Sequence, residues 1–123
     1  MIRTLLLIAI GGAIGSVLRY LTAIVVQKYY AAAFPLATFI TNIVGCLLIG
    51  VFTGWMHKHQ LCHANFKWFF ITGFCGGYTT FSAFGLENYS LLQNHQSAIA
   101  LLYIGASIFS GLAAVWLGLL LTK

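Results

Sequence analysis

Acidic side chains are almost missing from this chain: Glu87 is the only one among 123 residues, and charged residues of both signs make up 6% of the total. A water-soluble protein needs roughly a quarter of its residues charged to cover its surface, so this scarcity excludes an ordinary soluble domain. One carboxylate cannot supply a paired general acid and base. No nucleophile, base and orienting acid occur together either, which argues against an enzyme. Cysteine is also sparse. Cys46, Cys62 and Cys75 are odd in number and two of them fall inside apolar stretches, which argues against a disulfide framework. The first apolar stretch is too long for a signal-peptide core and shows no small-residue cleavage site followed by a polar chain, so it is expected to be the first span and not a leader.

What is present is apolar: 61% of residues are hydrophobic and the mean hydropathy is +0.96. Such a chain meets lipid on most of its outside. The expected fold is an all-α integral membrane protein, one transmembrane domain over residues 1–123, with four spans at 4–26, 34–56, 66–92 and 97–121. Each span is close to or above the roughly 20 residues that cross a bilayer as helix. The connections are short: Gln27 to Ala33, leading into Pro35; His57 to Asn65, the most polar stretch; and a tight turn from Gln93 to Gln96. Four spans place both ends of the chain on one side.

The net charge of +5 comes from Arg3, Arg19, Lys28, Lys58, Lys67 and Lys123 against Glu87. These cations are scattered at segment ends and form no stripe, so they read as membrane-flanking charges that set orientation, not as a nucleic-acid surface. Arg3, Lys58, Lys67 and Lys123 fall on one side of the membrane, Lys28 and Arg19 on the other. Four against two is a weak bias, and a chain that inserts both ways and pairs antiparallel is physically possible.

Polar groups inside a span call for a partner or a function. In the first span Gly11 and Gly15, and Gly12 and Ser16, lie four apart and allow close helix approach, either within the chain or to another copy. In the second span Thr38, Asn42, Gly45 and Ile49 share a face. The Asn42 amide there either donates to an anion or bridges two helices. In the fourth span Tyr103, Ser107, Ser110, Gly111, Ala114 and Gly118 form a stripe that either lines an aqueous vestibule or packs tightly. The third span carries the most informative run, Gly73-Phe74-Cys75-Gly76-Gly77-Tyr78-Thr79-Thr80-Phe81-Ser82-Ala83-Phe84-Gly85. Glycines followed by two threonines make a poor helix at mid-membrane, so a broken third helix is expected, with Phe81 and Phe84 on one face of the helix that resumes. Freed carbonyls at such a break can bind a cation. Glu87 has Arg19 as its expected partner, with proton coupling as the functional alternative. His57, His59, Cys62 and His63 have metal-ligand side chains, but their spacing fits no zinc pattern.

The runs Gly11-Gly12-Ala13-Ile14-Gly15-Ser16-Val17-Leu18-Arg19-Tyr20, Thr41-Asn42-Ile43-Val44-Gly45 and Gly73 to Ser82 resemble, in order and along the whole chain, the CrcB or Fluc fluoride channels. The resemblance implies an antiparallel, dual-topology homodimer with two pores, in a bacterial inner membrane, through which fluoride leaves the cytoplasm passively. It places Asn42 as a pore amide, Phe81 and Phe84 as pore aromatics, and Thr80, Ser82, Tyr103 and Ser107 as polar lining. Ser110 is a further candidate lining hydroxyl, one residue out of phase with the hydroxyl some members carry where this chain has Gly111. The resemblance also implies a central structural sodium ion held by the backbone carbonyls of Gly76 and Thr79. Fluoride is small and tightly hydrated, so close donors and the positive edges of aromatic rings must replace its water. The alternative is a small multidrug-resistance-type, proton-coupled exporter, which needs an acid in the first span; this chain has none there.

The weak charge bias predicts that a tag on the C-terminus reports from both sides of the membrane in comparable amounts. Adding two lysines beside Lys28 should shift the ratio. Accessibility labelling that finds one fixed orientation in the unmodified chain would rule out antiparallel pairing.

Overall fold

The structure, a computed structural model, describes residues 1–58 and 64–123, and its regular elements are all helical. Among the described residues three helices are long and apolar enough to cross a membrane: α1 (Ile2–Tyr29), α2 (Leu36–Lys58) and α6 (Ser97–Leu120). Between α2 and α6 the chain runs in pieces: α3 (Ala64–Phe66), a π-helix π1 (Lys67–Cys75), α4 (Gly76–Tyr78) and α5 (Phe81–Gln93). Of the metal-ligand side chains noted in the polar connection, His59, Cys62 and His63 lie outside the described residues. His57 is exposed at the end of α2.

The helix bounds follow local chemistry. Pro35 stands immediately before α2 and not in its first turn, and its carbonyl accepts the Phe39 amide at 3.1 Å. The turn after α5 is closed by two backbone bonds, Gln96 N–H to the Leu91 carbonyl at 2.9 Å and His95 N–H to the Leu92 carbonyl at 3.2 Å. His95 has φ of 57° there, the left-handed position that usually takes glycine in this capping pattern.

Two tight packings organise the molecule: α2 against α6, and α1 against π1 and α4. Both are built from glycine. Without an aqueous drive between apolar helices, association depends on backbones coming close enough for dispersion contacts. A Cβ on Gly15 would be forced into the Phe74 carbonyl and to 2.8 Å from the Tyr78 amide nitrogen; one on Gly77 would be forced into the Gly12 carbonyl. Gly50 and Gly118 stand in the same relation across α2 and α6. Gly11 and Gly15 are therefore used within the chain, the first of the two possibilities their spacing left open.

The buried stripe on α6 is Ala100, Tyr103, Gly111, Ala114 and Gly118. A small aromatic core surrounds Tyr103, whose ring lies 5.2 Å from Phe34 and 4.9 Å from Phe84. Away from these contacts the surface is apolar, with Leu5, Val17, Phe109 and Leu112 all exposed. That is the surface of a protein whose solvent is lipid.

The glycine contacts yield a paired test. Gly12 has only ordinary clearance, with the nearest atom 3.8 Å from an added Cβ. Gly12→Ala should be neutral or gain up to about 1 kcal/mol from helix propensity. Gly15→Ala should lose about 1–3 kcal/mol because backbone must move. Denaturant titration in detergent micelles measures both, and equal effects would refute the packing account.

Candidate functional site

Thr79 (φ −85°, ψ 160°) and Thr80 (φ −152°, ψ 120°) are extended between α4 and α5. The Thr79 carbonyl and both backbone groups of Thr80 are satisfied from neighbouring helices. Asn42, on α2, donates through Nδ2 to the Thr80 carbonyl at 3.1 Å and accepts the Thr80 N–H on Oδ1 at 2.8 Å. Arg19, on α1, donates through Nη1 to the Thr79 carbonyl at 3.1 Å. The Thr80 hydroxyl oxygen accepts the Ala83 N–H at 3.2 Å and so caps α5. The Thr79 N–H and hydroxyl both donate to the Cys75 carbonyl, at 3.0 and 2.8 Å.

Two recesses meet at Thr80. The first, about 450 Å³, lies between α2, the π1 to α4 segment, α5 and α6. Its polar wall is Asn42, Thr79, Thr80 and Ser107; Phe81 and Phe84 form its aromatic wall, with Gly76 beside them. The two rings are 5.8 Å apart and inclined at 33°. Ser107 Oγ is buried and has no hydrogen-bond partner. Asn42 retains one amide hydrogen beyond the one given to Thr80, since a side-chain amide carries two. Seven of the ten residues singled out in the sequence thus share one cavity.

The remaining three are placed elsewhere. Ser82 lines the second recess, of about 530 Å³, where its hydroxyl is 3.3 Å from that of Thr80. Tyr103 is fully buried and its hydroxyl donates to Glu87 Oε2 at 2.9 Å. Ser110 donates back to the Ala106 carbonyl one turn earlier, the usual way a serine hides its hydroxyl in an apolar helix.

The second recess also takes Ser16, Arg19 and Thr38 into its wall, none of which was singled out for a site. The signal for Arg19 was available: it lies four residues after Gly15 and eight after Gly11, on the face that packs closest to the interrupted segment. Arg19 and Glu87, expected partners, are not paired. Glu87 instead accepts from Thr38 Oγ1 at 2.6 Å and from Tyr103, so both carboxylate oxygens are used by neutral donors. Among the described residues no group of three or more metal-ligating side chains comes together.

Fold and site together define an all-helical integral membrane protein with polar recesses between its apolar helices. The chain belongs to the CrcB family: the profile described as CrcB-like protein, Camphor Resistance (CrcB), matches residues 6–119. It is 56% identical over 121 residues to the fluoride-specific ion channel FluC of Flavobacterium psychrophilum, covering 98% of each chain. It is 45% identical over 123 residues to the protein of the same name from Azobacteroides pseudotrichonymphae, covering 100% of this chain and 98% of the other. A fluoride-specific ion channel FluC 2 of Rhodococcus jostii is 44% identical over 120 residues, 98% of this chain and 99% of that one.

Proposed function

We propose that this chain is a fluoride-selective channel of a bacterial inner membrane, through which fluoride leaves the cytoplasm down its gradient. The observation that carries the proposal is the meeting at Thr80 of a guanidinium-bearing recess with an aromatic-walled one, in a chain whose relatives are named as fluoride-specific channels. Arg19 draws an anion to the first of these. Hydroxyls of Ser82 and Thr80, the spare Asn42 hydrogen and the unpartnered Ser107 hydroxyl then replace its water. The rims of Phe81 and Phe84 carry partial positive charge and keep the path narrow. Several weak donors in series let an ion enter and leave, which is what conduction requires. Proton-coupled drug export is not favoured, because α1 holds no carboxylate.

In this proposal residues 66–92 form the fourth crossing, broken at Thr79 and Thr80, and two copies pair antiparallel. Phe81 supports a partner: it is 84% exposed although it walls the first recess, and added Cβ atoms at Gly76 and Gly85 would meet nothing within 4 Å. A second copy seated there would close the recess.

A structural sodium ion on the Gly76 and Thr79 carbonyls belongs to the same proposal. The amides that would ordinarily reach the Gly76 carbonyl are engaged elsewhere, Thr79 N–H with Cys75 and Thr80 N–H with Asn42. The Thr79 carbonyl keeps a second lone pair beside the one Arg19 uses. Oxygen donors of this kind suit a hard cation, and these residues fit as a donor set. The guanidinium on the Thr79 carbonyl opposes a second positive charge nearby. Such an ion would fix the backbone at the break and take no part in conduction.

Fluoride efflux from proteoliposomes, followed with a fluoride electrode and no proton gradient, tests the function. Asn42→Ala and Asn42→Asp should each lower efflux by about tenfold or more, the first by removing the donor and the second by placing a negative charge in an anion path. Phe81→Leu and Phe84→Leu should also lower it, since bulk is kept and ring edges are lost. Undiminished efflux in all four folded variants would sink the proposal. For the ion, protein purified with a large organic cation in place of sodium should dissociate to monomer at lower detergent concentrations and conduct less; no change in either measurement would remove sodium from the account.

A further inference from the structure

Cys46 and Cys75 have no part in the chemistry described above, yet both line the first recess. Cys46 is on α2, in the residue after Gly45, and Cys75 closes π1, so two separate elements bring their thiols to one cavity of about 450 Å³. Both are free thiols and neither makes a hydrogen bond. Their positions are fixed by packing. Gly45 faces Thr79 so closely that a Cβ there would be forced into the Thr79 methyl, and Thr79 is bonded twice to the Cys75 carbonyl. On the other flank a Cβ at Gly111 would stand 3.6 Å from Cys46 Sγ, so that sulfur packs against α6. Ile49, Ile71 and Ile108 share this cavity with the Asn42 amide and the hydroxyls of Thr72, Thr79 and Thr80, hard donors that a soft ion does not select.

We infer that Cys46 and Cys75 form a two-coordinate site for a soft, thiophilic d10 ion such as Cu(I), Ag(I) or Hg(II), and that an ion bridging them obstructs the recess. Soft thiolate ligands select such ions, and two-coordinate binding needs no third soft donor beyond the two thiols. Binding replaces each S–H bond with a sulfur-to-metal bond and releases both protons to solvent; no electron is transferred. The ion would sit between α2 and the last turn before Thr79, next to Asn42. The obstruction rests on the channel proposal; the binding does not.

The probe is Hg²⁺, added as the nitrate in chloride-free buffer, to protein carrying Cys62→Ser so that only the two cavity thiols remain. Uptake is read by thiolate-to-mercury charge-transfer absorbance after a wash with excess monothiol, and function by fluoride efflux from liposomes. The expected result is one washed-resistant ion per chain and an efflux lowered about tenfold, restored by a dithiol chelator. Adding either Cys46→Ser or Cys75→Ser should abolish the resistant ion, with efflux no longer sensitive to mercury. Cys75→Ala serves where the buried serine disturbs folding. No resistant ion, or one held equally well with a single thiol, overturns the site. A resistant ion that leaves efflux unchanged supports the site and overturns instead the assignment of this recess to the fluoride path.

Discussion

Among apolar helices that meet lipid the backbone has no water to fall back on, so an extended pair of residues packed between them stands only if protein satisfies the freed amides and carbonyls. Here the side chain of Asn42 answers both groups of Thr80 at once, and Arg19 answers the Thr79 carbonyl. Each hydrogen bond contributes about 0.5–1.5 kcal/mol net, but leaving a buried donor or acceptor unpaired costs about 1–3 kcal/mol. The asymmetry matters more than the gain. Removing the Asn42 amide would orphan two backbone groups, so the same side chain that offers a hydrogen to the recess also holds open the shape of that recess.

That clamp depends in turn on glycine. For Arg19 to reach a main-chain oxygen on the interrupted segment, α1 must lie against that segment with its backbone nearly in contact, and Gly11, Gly15, Gly73 and Gly77 provide this. Gly11, Gly15 and Arg19 follow at intervals of four on one helix face, so close packing and the cation are delivered together. On α2 Gly45 admits the Thr79 methyl while Asn42, one turn earlier, meets Thr80. The polar contacts hold the break; the glycines set the distance at which they form.

Much of this was legible because each feature has a local chemical signature. Three long apolar runs gave α1, α2 and α6 to within a few residues. The Gly-Gly and Thr-Thr pairs marked where helix is weak, and Asn42, Thr80, Phe81, Phe84 and Ser107 emerged together in one cavity. Other features have no such signature. Nothing in Lys67–Cys75 distinguishes a π-helix from an α-helix, since the same aromatic and aliphatic residues serve either winding. Tyr103 and Ser110 sit on the polar stripe of α6, but rotamer and neighbours decide where a hydroxyl points, and theirs point to Glu87 and to Ala106. Ser16 and Thr38 joined the second recess through tertiary packing alone. For Asn42 the two uses left open by its position turn out to be compatible, because its amide carries more hydrogens than the backbone consumes.

The fate of the single acid shows how charge is sorted. Paired with Glu87, Arg19 would form a neutral unit and the recess beside it would exert little field on an anion. Instead Glu87 is held by Thr38 and Tyr103, two neutral hydroxyls on other helices, and Arg19 donates its hydrogen bond to a carbonyl. The carboxylate's lone pairs are occupied without its charge being cancelled at the guanidinium. Tyr103 reaches it from inside an aromatic core, and Thr38, which shares a wall with Arg19, Ser16 and Ser82, holds its other oxygen. In low-dielectric surroundings charges act strongly over short distances, and here the second recess has a cation in its wall while the carboxylate stands behind Thr38, bonded to neutral hydroxyls and not to the guanidinium. A chain with only one acid can therefore keep, in the wall of the recess beside Thr80, a guanidinium that no carboxylate pairs.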